Sequence, residues 1–222
     1  MSMPFGAHET MEVHEVLNEK LNLINHFALY AQFAQNEQIR SMIDRHLQTA
    51  VAAYDQLVAY THDYSAANRQ LPPYRDMTAF MHPQQIQYGL HHPMPVAPEM
   101  QGRLNDPQIL CAMLSCHKNS AKLHMQGALE CADPNVRQML VNGALACANQ
   151  AYEVFLLMNQ QGLYQVPTMN DHTAKTFLHS YQPMQPQSYP QAFMQHGGMQ
   201  TGTMQGMRSG MMQPGATAAY QQ

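Results

Sequence analysis

The chain has 222 residues, 45% of them apolar, which is enough for one domain with extensions or two small ones. Only 12% are charged, the formal net charge is −4, and the 11 Lys and Arg form no local cluster, so there is no basic field to hold nucleic acid. No apolar run reaches the roughly 20 residues of a membrane span, and the start MSMPFGAHETMEVHE lacks the basic opening and apolar middle of a signal peptide; both features predict a protein made and kept inside a cell, or inside a compartment reached without secretion.

Residues 1–8 carry Pro4 and Gly6 without periodicity and read as a short arm. A first helix follows over about 9–35, with Val13, Leu17, Leu21, Ile24, Phe27 or Ala28, Ala31 and Ala34 spaced by threes and fours along one stripe. Glu9, Glu12, Glu15 and Glu19 lie in its first turns, where negative charge suits the positive end of the helix dipole. The pattern breaks near Asn36 and resumes as a second helix over about 37–63. Its stripe includes Ile39, Met42, Ile43, His46, Leu47, Leu57 and Val58, and the two helices read as a hairpin.

Between 64 and 103 six prolines interrupt only scattered apolar residues, which predicts a connection and not a domain. Helices of about 25 residues are roughly 37 Å long, so a link between two parallel helices of one bundle needs this much chain. A second hairpin then occupies 104–167, with helices over about 107–131 and 134–161. Asp106 before Pro107, and Asp133 before Pro134, mark two N-termini, each an N-cap carboxylate followed by the one helix position where a missing N–H costs nothing. Gly162 marks the stop, and Pro167 lies just beyond it. QIRSMI at 38–43 superposes on NVRQML at 135–140, and the same offset carries Leu57 and Val58 onto Val154 and Phe155. That weak repeat supports two related hairpins in one all-α, ferritin-like four-helix bundle with a long crossover over 64–103.

Residues 163–182 read as an extension with one short helix at about 171–180. From 183 to 222 the chain is a low-complexity tail of Gln, Met, Gly and Pro whose one charged side chain is Arg208. Too little apolar surface is available there to offset the ordering entropy, so the tail is predicted to be disordered in isolation and prone to self-association.

Candidates for chemistry are few. A di-iron centre in such a bundle needs inward Glu residues and Glu-x-x-His pairs, and no Glu here has a His three residues after it. His46, His117 and His124 fall on core-facing stripes and are the candidate metal ligands, against the plainer reading of buried, hydrogen-bonded histidines. His14 and His26 read as structural. The four cysteines, Cys111, Cys116, Cys131 and Cys147, include no C-x₂-C pair and read as small buried thiols. Cys116 beside His117 does not make a nucleophile–base pair, because adjacent helix residues point in different directions. No catalytic residue and no cofactor is assigned.

The segment LNDPQILCAMLSCHKNSAKLHMQGALECADPNVRQMLVNGALACANQAYEVFLLMNQQGLYQVP resembles the coat F family of bacterial spore coat proteins. The likeness lies in the D-x₆-ML helix with a Lys after it, the DP turn followed by VR, and the closing GLYQVP. HEVLNEKLNLINHFALY resembles the N-terminal hairpin of related coat proteins, so the likeness spans 8–62 and 104–182 and stops at the tail. The resemblance implies a ferritin-like bundle without an enzyme's metal site, made in the mother cell of a sporulating bacterium and laid down in the spore coat. On this reading the chain is a structural, non-enzymatic subunit whose partners are other coat proteins, with a homo-oligomer also open. The alternative is a ferritin-like metal-binding or redox-protective protein using His46, His117 and His124.

Overall fold

A computed structural model describes residues 5–63, 86–91, 93 and 102–183. Half of the expected arm (1–4), most of the crossover and all but the first residue of the Met-rich tail lie outside these residues. The described elements are helices α1 (Ala7–Phe33), α2 (Glu37–His62), α3 (Asp106–Glu130), α4 (Pro134–Gln160) and α5 (Asp171–Leu178). The chain divides into two units, Met1–Thr168 and Met169–Gln222. The first unit holds the four long helices. In the second, α5 is capped by the Asn170 side chain and carries an Asp171–Lys175 ion pair of 2.6 Å one turn apart.

In the bundle α1 packs against α2 and α3, and α4 against α3 and α2. Hydrogen bonds fix the directions: the start of α3 meets the end of α1, and the start of α4 meets the end of α2. The order is therefore up, down, down, up. Helices α2 and α3 run parallel across the diagonal, which is why the crossover must travel the length of the molecule.

Two helix starts differ from one another in an instructive way. Asp133 caps α4 as the sequence predicts, accepting from the Asn135 and Val136 amides. Asp106, expected as the cap of α3, is instead its first residue: Asn105 is the cap and exchanges bonds with Gln108 in a capping box. This frees the Asp106 carboxylate to accept from the Gln35 and Asn36 amides, at 2.8 and 3.0 Å, in the α1–α2 turn. The other end of the bundle repeats the device: Glu9, in the first turn of α1, accepts from the Asp133 amide at 2.8 Å in the α3–α4 turn. Glu9 and Asp106, like Asn36 and Asp133, are 97 positions apart, and so are the pairs of the internal repeat. The repeat is thus expressed in the hydrogen bonds as an approximate two-fold arrangement.

Helix α4 ends as the sequence predicts. Gly162 takes φ of +73°, its amide bonds to Asn159 O and the Leu163 amide to Met158 O, the paired bonds of a Schellman stop. The residues that follow hold the crossover. Gly89 N donates to Val166 O, the Asn159 side chain bonds both backbone groups of Gln87, and the Gln165 side chain accepts from His91 N. The GLYQVP segment is therefore a clasp as well as a stop.

The buried stripe of α1 differs in phase from the expected one. It runs Glu9, Val13, Val16, Lys20, Leu23 and Phe27, while Leu21 is 42% exposed. Because α1 faces two helices its apolar arc is wide, and a lysine stem can occupy a core position that a hydrophobicity pattern passes over. The apolar core itself is split. One cluster centres on Phe27, Ile39, Ile43, Leu110, Met113 and Val154, the other on Val13, Val16, Leu57, Val136 and Leu140. Between them lies a belt of buried polar groups.

Candidate functional site

The belt contains the three histidines singled out from the sequence, all almost wholly buried, and divides them into two layers. In the upper layer His46 of α2 and His117 of α3 meet across the diagonal, Nδ1 of His46 lying 3.0 Å from Nε2 of His117. His46 Nε2 lies 3.0 Å from the Glu153 carboxylate of α4, which also pairs with Arg45. Phe27 sets its ring edge-on to His117, with centroids 5.0 Å apart.

The outer end of this chain sets the direction of its first bond. The His46 hydrogen bond, followed by the Arg45 charge, holds the Glu153 carboxyl below its ordinary value, so it is an acceptor. His46 Nε2–H donates to it, and His46 Nδ1 and His117 Nε2 share the next hydrogen bond. Burial, and then the neighbouring His46, hold His117 well below the ordinary imidazole range, so its ring is neutral. Its Nδ1 is buried without a partner.

His124 belongs to the lower layer and does not join this chain. Its Nδ1 donates to Ser120 O at 2.8 Å, and its ring lies against Gly143 of α4. A β-carbon at Gly143 would stand 2.4 Å from His124 Cδ2, so the glycine makes the space the imidazole fills. Around it are Lys20, Glu19, Ser120 and Cys147. Burial lowers Lys20, raises Glu19, and, with the charge of Lys20, takes His124 down to about 4. Ser120 Oγ donates to Glu19 Oε1, while Glu19 Oε2 and His124 Nε2 are buried without partners.

Chemically, neither layer converges on a point. Both nitrogens of His46 are engaged, His117 Nε2 is engaged, and His124 faces other groups. Among the described residues no three His, Cys, Asp or Glu are grouped to hold a metal ion. Three of the thiols are equally unreactive: burial pushes Cys116 and Cys131 up to about 11 and Cys147 to about 12, leaving almost no thiolate there near neutral pH. Cys111, expected with the others as a buried thiol, is exposed. Sequence reasoning placed the histidines but missed Glu153, Lys20, Glu19 and Gly143 as their surroundings. The internal repeat holds the missing signal, since it places Phe27 opposite His124, and His46 opposite Gly143, in equivalent positions.

Residues 105–167, from the cap of α3 through the GLYQVP clasp, match the family described as the Coat F domain. The chain is 27% identical over 186 residues to the spore coat protein F-like protein YhcQ of Bacillus subtilis (strain 168), covering 83% of this chain and 84% of that one. The fold is similar to that in a crystal structure of a candidate spore coat protein from Bacillus halodurans C-125. The TM-score is 0.55 at 17% identity, over 76% of this chain and 97% of the other. Residues 105–167 thus carry a match to the Coat F domain, which here is the α3–α4 hairpin together with the clasp that closes it.

Proposed function

We propose that this protein is a structural, non-catalytic subunit of the bacterial spore coat, made in the mother cell and assembled there with other coat proteins. The observation that carries this reading is the Coat F domain over 105–167, supported by likeness to YhcQ along most of both chains. The bundle interior supports it too. Its ionisable groups are enclosed, its buried thiols are held protonated, and its histidines are spent on one another and on Glu153. The bundle supplies a rigid body, and the crossover and the nearly uncharged tail supply contacts to other coat components.

A fluorescent fusion expressed in a sporulating host tests the assignment. A ring around the spore, with protein released only by reductant and detergent, is the expected outcome; diffuse signal in growing cells would remove it. Deleting 183–222 is expected to leave helix content and melting nearly unchanged while reducing incorporation. The metal-binding alternative through His46, His117 and His124 is tested separately by metal analysis of untagged protein, where a stoichiometric metal lost in His117→Ala would establish it.

A further inference from the structure

We infer that the outward face of the α3–α4 hairpin is a self-complementary surface whose occupant is the same face of a second copy, related by a two-fold axis. The sequence of α3 sets Lys118, Lys122, Met125 and Leu129 on one outward stripe at heptad spacing, and Leu145 and Tyr152 of α4 share a stripe beside it. The face is not uniform along its length. Toward the start of α3 lies a groove of about 380 Å³, where Ala121, Ala148 and Ala151 leave room between the helices. Tyr152 and Phe155 wall it, and Lys118 and Lys122 border it. Toward the end of α3 the face carries projecting apolar side chains instead: Leu129 is 74% exposed, Leu145 49% and Met125 39%.

A groove at one end and knobs at the other, about 10 Å apart along the helix axis, are what an isologous contact requires: rotation by a half-turn seats the knobs of each copy in the groove of the other. The charges agree with that pairing. Neither Lys118 nor Lys122 has a carboxylate partner among the described residues, and Lys118 rests over the Tyr164 ring at 5.2 Å. The knob end carries Glu130, more than half exposed, and the negative end of the α3 dipole. The same half-turn brings each pair of lysines toward that end and keeps the two pairs apart. From Lys118 to Glu130 the face is about 18 Å long, and it is two helices wide.

The test is the mass of the full-length purified chain by sedimentation equilibrium and light scattering across the micromolar range. Wild type is expected at twice the 25.1 kDa chain mass. Leu129→Glu with Leu145→Glu changes only exposed positions, and is expected to give a monomer of unchanged helix content, with the dissociation constant raised about a hundredfold or more. Lys122→Glu and Glu130→Lys are each expected to weaken association about tenfold, and their combination to restore most of it. A monomeric wild type, a knob variant of unchanged mass, or charge variants whose effects simply add would each overturn the inference. Because the tail is intact in every variant, association through it would appear as the second of these.

Discussion

The two layers of the polar belt occupy equivalent places in a repeated frame, yet they are satisfied very differently. In the upper layer His46, His117 and Glu153 form a chain that reaches the bundle edge, where Arg45 completes it. In the lower layer the position equivalent to His46 is Gly143, and the space is filled from the neighbouring helix by His124, which bonds only to its own backbone. One layer reaches solvent and leaves only His117 Nδ1 without a partner; the other relies on shape and leaves both Glu19 Oε2 and His124 Nε2 without one. Buried groups left without partners each cost about 1–3 kcal/mol. The lower layer is therefore where the fold is most exposed to failure.

The comparison is broken most sharply at Gly143. Gly143→Ala is expected to destabilise by about 3 kcal/mol in urea unfolding, because the new carbon meets the His124 ring inside a packed core. His124→Ala should cost much less in that background than in wild type, a non-additivity that locates the strain in this pair.

Acid gives the next effect. His124 has its pKa lowered to about 4 in the folded chain, against 6.5 for the ordinary imidazole. Between these values the unfolded chain takes up a proton that the folded chain refuses, so stability is full above about pH 6.5, falls as pH drops, and levels off below about 4. The loss from this one group is roughly 3 kcal/mol. His117, also lowered, adds to it, whereas Glu19, whose carboxyl is raised by burial, opposes it near the acid end. Thermal melts from pH 7 to 4 measure the slope. His124→Leu should flatten it, and an unchanged slope would place the acid response in the upper layer.

The smallest effect sharpens the symmetry. Asp106→Ala and Glu9→Ala each remove a carboxylate that caps the opposite hairpin's turn, and each is expected to cost about 1 kcal/mol. Their effects on chemical denaturation should match, and markedly unequal values would show that the two-fold arrangement is one of shape alone.

Much of this was legible in advance, for reasons the structure makes plain. Helix ends were marked by residues with strong local preferences: Asp133 and Pro134 at one start, Gly162 at a stop, and the break at Asn36. The burial of His46, His117 and His124 followed from their stripe positions. The cap of α3 was misplaced by one residue because both Asn105 and Asp106 are good caps, and a tertiary bond to the Gln35 and Asn36 amides decides between them. The phase of α1 was misjudged because Lys20 counts as polar by composition although its stem is buried. Which histidine meets which was not legible at all. Heptad spacing puts His117 and His124 on one side of α3, but the diagonal approach of α2 selects His117, and Gly143 claims His124.

The reciprocal capping of the two turns has a consequence for how the molecule comes apart. The amides of Gln35 and Asn36 find their acceptor on α3, and the amide of Asp133 finds its acceptor on α1, so neither hairpin completes its own turn. A hairpin formed alone would leave these groups to water. Each therefore becomes a finished unit only when the other has docked, which couples the two halves into a single cooperative transition. In native-state hydrogen exchange these three turn amides should behave as reporters of global opening, although surface turns ordinarily exchange through local fraying.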